Sequence, residues 1–130
     1  MFPIIAVDIS GRHRIGQGYY MVCAAVAVDV SASHIESVSQ IAIKPFLASS
    51  PPGVADVVSI IETTVAEIKS PGTIIVEHGD LYNQPEWLSQ KMFSREFKYQ
   101  ESLSERLAIE FAHHVSLSSR NLLMKELGID

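Results

Sequence analysis

Five residues with ligand or acid–base chemistry stand where hydrophobic patterning places element ends or one helix face: Asp8, Glu77, Asp80, Glu110 and His114. Asp8 follows the apolar run IIAV (Ile4 to Val7) and precedes Ser10-Gly11. A carboxylate at the end of a buried strand is costly unless it meets hydrogen-bond donors or a cation. Glu77 repeats the pattern after TIIV, and Asp80 follows past a glycine turn, placed to assist or replace Glu77. In an open α/β sheet, ligands collect beyond the carboxyl ends of parallel strands, so two neighbouring strands that end in acids set like charges side by side. A shared hard divalent ion, Mg²⁺ or Mn²⁺, resolves that repulsion: it takes oxygen ligands and keeps waters that a phosphate replaces. In ERLAIEFAHH, Glu110 and His114 are four apart and share one helix face, offering a third ligand. His113 turns away from that face by about a quarter of a turn. Arg12 and Arg14, close behind Asp8, are the candidates for steering a substrate phosphate.

Each position also has a purely structural reading. Asp8 alone reads as a turn carboxylate accepting from the backbone N–H of Ser10 or Gly11, and Glu77 as a surface acid. The His113-His114 pair reads as ordinary polar spacing on a half-exposed helix. Arg12, His13 and Arg14 read as a solvated loop, and the serines of SLSSRN (Ser116 to Asn121) as small residues that permit close packing.

The elements that must position these side chains follow from periodicity. Ile4 to Ile9 is β-branched and apolar on both faces, as a central covered strand requires. A glycine-containing loop, RHRIGQG, returns into a long apolar strand, Tyr19 to Val30, and a third strand is expected over Ile35 to Lys44, stopped by Pro45 and SSPPG. Val54, Val57, Val58, Ile61, Val65 and Ile68 recur at helical spacing up to Ser70-Pro71-Gly72. Thr73 to Glu77 is a fourth strand, expected parallel to the first through a right-handed crossover. A short helix is expected from about Gln84 to Phe93, anchored by Trp87, and REFKYQ alternates as a small edge strand. From Glu101 to Leu127 the pattern is helical, with Leu103, Leu107, Phe111, Val115 and Leu122 as its apolar stripe. The expected order is β-β-β-α-β-α-β-α, one α/β domain over residues 1–130 with no linker or repeat to divide it.

The longest apolar stretch, YYMVCAAVAV, is too short for a membrane span and lacks signal-peptide flanks, so a cytoplasmic protein without membrane partners is expected. Cys23, the one cysteine, excludes an internal disulfide and a thiolate cluster and reads as a small buried hydrophobe. Fifteen acidic against ten basic residues give a formal charge of −5, which argues against a polyanionic partner. Setting aside Asp8, Glu77, Asp80 and Glu110 leaves 11 acids against 10 bases, an exterior that neither invites nor forbids nucleic acid.

Topology and motif together resemble the ribonuclease H-like superfamily, whose members share a three-strand meander, a helix, a parallel fourth strand and later helices. AVDISG with its glycine-containing return resembles the opening of type 2 ribonucleases H and of the C-terminal nuclease domain of the excision-repair incision subunit. The resemblance implies a three-layer α/β/α fold with a mixed sheet. It matches Asp8 to the first-strand aspartate and Glu77 to the fourth-strand acid, where those relatives carry Asp. His114 falls where Holliday-junction resolvases of the superfamily place an Asp or His, with Glu110 one turn before it. The last helix as a whole also resembles a small, uncharacterised archaeal family. The chain departs from the pattern in three ways: no counterpart of the first-helix glutamate, no basic protrusion and no aromatic nucleic-acid platform.

The resemblance implies a divalent-metal-dependent nuclease that hydrolyses phosphodiester bonds in nucleic acid. Two ions roughly 3.5 to 4 Å apart would be bridged by Asp8. Glu77 and Asp80, with Glu110 or His114, complete the expected ligand set. The alternative is a non-catalytic ribonuclease H-like module that binds a partner or a second copy of the chain.

Overall fold

The computed structural model describes residues 1–129. Its strands are β1 (Phe2–Ser10), β2 (Tyr19–Val30), β3 (Ile35–Ala48), β4 (Thr73–Val76) and β5 (Phe97–Tyr99), and its helices α1 (Val54–Val65), α2 (Glu86–Gln90) and α3 (Leu103–Leu127). The five strands form one mixed sheet in the order β3-β2-β1-β4-β5. β1, β2 and β3 make an antiparallel meander, and β4 lies parallel to β1, with Ile4, Ile5 and Ala6 opposite Thr73, Ile74 and Ile75. β5 extends the sheet parallel to β4.

β1 lies at the centre and is covered on both faces, which is why the run Ile4 to Val7 is apolar at every position. Ile5, Val7 and Ile9 join a cluster with Val57, Ile61 and Val65 of α1. Ile4 and Ala6 join a second cluster with Ala108, Ile109 and Ala112 of α3. Since strand side chains alternate, Asp8 shares the α3 face with Ile4 and Ala6. Cys23 is fully buried within the α1-side cluster, as its apolar neighbours imply, and burial pushes its thiol up to about 12.

Four expectations need correction. β3 does not stop at Lys44; it runs through Pro45 to Ala48, because an edge strand can turn the nitrogen that lacks a hydrogen away from the ladder. α1 ends at Val65, about one turn early, and tighter bonds from the N–H groups of Glu67 and Ile68 to Thr64 and Val65 carry the chain onward. Trp87 does not anchor α2 to the body: it is 65% exposed, with the Lys91 ammonium 5.2 Å from its ring centroid. The stripe of large residues on α3 is only in part its packed face: Phe111 and Val115 are half-buried and pack against the cluster on that side of the sheet. Leu103 and Leu122 are exposed, while Ala108, Ala112, Ser116, Arg120 and Met124 are buried. Small residues every four positions let the helix lie close to the sheet, and that proximity outweighs the larger area of the leucines.

The start of α3 is held firmly. Ser102 caps it by accepting from the N–H of Glu105, whose carboxylate accepts from the N–H groups of Glu101 and Ser102 and pairs with Lys98 of β5 at 3.0 Å. No helix among the described residues is long and apolar enough to cross a membrane.

Candidate metal centre

The register of β1 and β4 decides what their terminal acids do. With the strands paired in parallel, Asp8 and Glu77 emerge at the same sheet end, and the short 3₁₀ turn His78–Leu81 folds Asp80 back beside them. One oxygen from each of Asp8, Glu77 and Asp80 lies within 4.8 Å of the other two.

Asp8 is only 5% exposed and faces α3. Its Oδ2 accepts from Ser116 Oγ at 3.0 Å and lies 3.1 Å from His113 Nδ1. Ser116 Oγ also lies 2.7 Å from Ser10 Oγ. A hydroxyl has one proton, so with Ser116 donating to the carboxylate, Ser10 donates to Ser116. An ionised Asp8 can only accept, which assigns the His113 proton to Nδ1 and leaves Nε2 free on a ring that is half open to solvent. Burial raises the Asp8 pKa despite these two hydrogen bonds, and the charge of Glu77 adds to the rise.

Asp80 is the more perturbed acid. Burial and then the neighbouring Asp8 push it up to about 7, against the pull of Arg12. Its Oδ1 pairs with Arg12 Nη1 at 3.3 Å, whereas its Oδ2 is buried without a partner. Three carboxylates, one with an unpartnered buried oxygen, make a hard oxygen donor set that fits a divalent ion of the Mg²⁺ or Mn²⁺ kind.

An acid whose folded pKa lies above its unfolded value binds its proton more tightly in the folded state, so it favours folding below the unfolded pKa and loses that contribution as pH rises through the folded one. For Asp80 the window runs from 3.8 to about 7. In EDTA, the wild-type melting temperature is expected to fall relative to Asp80→Asn across this window. The loss is on the order of 2–4 kcal/mol, or roughly 10 °C. Parallel melting curves that keep a constant separation would contradict it.

Glu110 is exposed and lines, with Glu77, Gln100, Arg106 and His113, a cavity of about 320 Å³ next to the acids. Arg12 pairs with Asp80 and lies over the Tyr82 ring at 4.8 Å. Arg14 is exposed on the loop. His114 is exposed and is not brought to the acids; its ring lies 5.8 Å from that of His113. The reason is register. Ala108, Ala112 and Ser116 face the sheet, so the histidine three residues before Ser116 meets Asp8, and the next residue is rotated about 100° away. His113, Ser116 and Ser10 are the site residues that sequence reasoning left out. The one available signal was the four-residue period of small side chains on α3.

The chain belongs to the DUF2209 family, described as an uncharacterized protein conserved in archaea, which matches residues 5–124. It is similar to Uncharacterized protein MJ0095 of Methanocaldococcus jannaschii, at 28% identity over 123 residues, 94% of this chain and 97% of that protein. In fold it is similar to a chain of the cryoEM structure of a simian T-cell lymphotropic virus intasome in complex with PP2A regulatory subunit B56 gamma. That likeness has a TM-score of 0.50 and 13% identity and covers 86% of this chain but 36% of the other.

Proposed function

We propose that the protein is a divalent-metal-dependent nuclease of the ribonuclease H-like kind, with Asp8, Glu77 and Asp80 as the metal-holding residues. The reading is carried by one observation: three carboxylates from two parallel strand ends and the turn after them converge within 4.8 Å, and Asp80 Oδ2 has no other partner. The sheet order, with β1 and β4 parallel at its centre and a helix on each face, supports it as well.

A bound divalent ion would supply Lewis-acid charge and an activated water for phosphodiester hydrolysis. The chain's own residues prepare that chemistry. Ser116 and His113 Nδ1–H fix Asp8 Oδ2, which leaves Oδ1 as the ligand oxygen. Arg12 holds one oxygen of Asp80 and leaves the other, buried and unpartnered, for a metal. His113 Nε2, the free nitrogen of a half-exposed ring, is available to take or give a proton beside the site. Glu110, on the wall of the adjoining cavity, is placed to contact substrate or a second ion.

A non-catalytic module that docks a second copy of the chain is the second reading. It is favoured by an exposed apolar groove of about 290 Å³ where Ile43 and Pro45 of β3 face Leu122 and Leu123 of α3.

Thermal melting during a Mn²⁺ titration separates the two readings. A saturable rise in melting temperature is expected for the wild type, equivalent to about 2.7 kcal/mol at a hundredfold excess over the dissociation constant. Asp8→Asn is expected to lose it. Equal melting with and without the ion would favour the docking module.

A further inference from the structure

Away from the acids the molecule buries a second unusual charge. Arg120 of α3 is 7% exposed, and a guanidinium stays cationic throughout the physiological range. Its Nε donates to the Tyr20 carbonyl at 2.6 Å, but its Nη2 is buried with no acceptor. Among the described residues the ion pairs join other partners, and no carboxylate neutralises this cation. A buried charge in that condition is expensive.

Arg120 borders a cavity of about 420 Å³ between the β1–β2 loop, through Ile15, and the last turns of α3. Asn121 and Lys125 line the same cavity and add amide and ammonium donors. The carbonyls at a helix C-terminus ordinarily repel an anion. Here two of them are engaged: Lys125 O accepts from the N–H of Gly128 at 3.2 Å, and Met124 O from that of Ile129 at 2.9 Å.

We infer that this cavity binds a phosphoryl oxyanion, with Arg120 as its inner anchor and Asn121 and Lys125 at its rim. Two amide or ammonium groups and a guanidinium match the several acceptor oxygens of such a group, and its charge supplies what Arg120 lacks.

The cavity stands in register with the acids. Two residues along a strand advance about 6.6 Å and four along a helix about 6 Å, so β1 and α3 keep step. Ser116 meets Asp8 and Ser10, and Arg120, one turn on, packs against Gly11. A strand held at the acids therefore carries a neighbouring phosphate toward Arg120. That assignment of the source rests on the proposed nuclease activity, whereas the oxyanion site itself does not.

The test is made in EDTA, so that a failure of the metal centre leaves it intact. Inorganic phosphate is titrated at constant ionic strength against chloride, with melting temperature and calorimetric heat as readouts. The wild type is expected to show saturable stabilisation by phosphate beyond that by chloride. Lys125→Ala and Asn121→Ala, both at the rim, are expected to weaken phosphate binding roughly threefold to tenfold without changing the melting temperature of the free protein. Arg120→Gln is expected to abolish the response. A short single-stranded oligonucleotide added in the same buffer identifies the source. Competition with phosphate assigns the site to a backbone phosphodiester, and absence of competition assigns it to free phosphate. A purely structural Arg120 would lower the melting temperature of Arg120→Gln and leave the rim variants responding to phosphate like the wild type. That result, or a wild-type response to phosphate no larger than to chloride, overturns the inference even if Arg120→Gln fails to fold.

Discussion

Asp8→Asn is expected to reduce Mn²⁺-dependent cleavage of nucleic acid by about 10³-fold or more while leaving the protein folded. Asn keeps the shape of the side chain and can still accept from Ser116, but it removes the charge at the centre of the acidic group. With one carboxylate fewer beside it, Asp80 no longer faces the like charge that helps hold its pKa near 7. The metal-free variant should therefore melt at or above the wild-type temperature at neutral pH, even as its activity disappears. This opposite movement of stability and activity distinguishes loss of a ligand from loss of the fold. The two histidines sharpen the result. His113→Ala, which removes the partner that orients Asp8, should cost roughly 10–100-fold and alter the pH profile. His114→Ala should stay within about threefold, since a side chain off the Asp8 face alters neither the ligand set nor its orientation. The measurement is initial cleavage rate on single-stranded, hybrid and branched substrates. Wild-type rates in Asp8→Asn, or a larger loss in His114→Ala than in His113→Ala, would refute the assignment.

Gly11→Ala is expected to destabilise the protein by about 3 kcal/mol or more, one of the largest effects open to a single methyl group here. Gly11 has φ +94°, a conformation that L side chains rarely adopt. A Cβ would also overlap the Tyr20 carbonyl oxygen and Nε of Arg120, the two atoms already joined by a hydrogen bond. Backbone strain and steric displacement act together, and relief requires moving the first turn after β1 away from α3. Denaturant unfolding at pH 7 would show the loss as a lower midpoint with an unchanged slope. Gly16 makes the control, having φ +61° but nothing within 4 Å of an added Cβ, so Gly16→Ala should cost clearly less. Equal losses at the two glycines would show that backbone conformation alone, and not the close approach of Arg120, sets the requirement at Gly11.

Several parts of the structure were legible from side-chain pattern because they depend on local chemistry. The run from Ile4 to Ile9 is apolar on both faces, and that property alone demands a central strand covered on two sides. Tyr19 to Val30 emerged with the bounds expected of it. The helical spacing of Val54 to Val65 and the small alternating strand near Phe97 to Tyr99 were read in the same way. Asp8 and Glu77 stood out because each ends an apolar run with a charge.

Where the helix of residues 103–127 turns its face was not decided by its own side chains. Leu103 and Leu122 are larger than Ala108 and Ala112 yet lie exposed, and of the large stripe Phe111 and Val115 pack, half-buried, against the cluster the alanines join. The sheet selects the side that allows the closest approach. That rotation brought His113 and Ser116, rather than His114, to Asp8. It also buried Arg120 beneath the loop that follows β1. Local sequence determined the strands, the helices and the acids at their ends, since backbone preference and hydrophobic period act over a few residues. Only the tertiary structure determined which histidine stands beside those acids and that Arg120 is buried, because a turn of one residue about a helix axis costs little locally and is settled by packing against a surface distant in the chain.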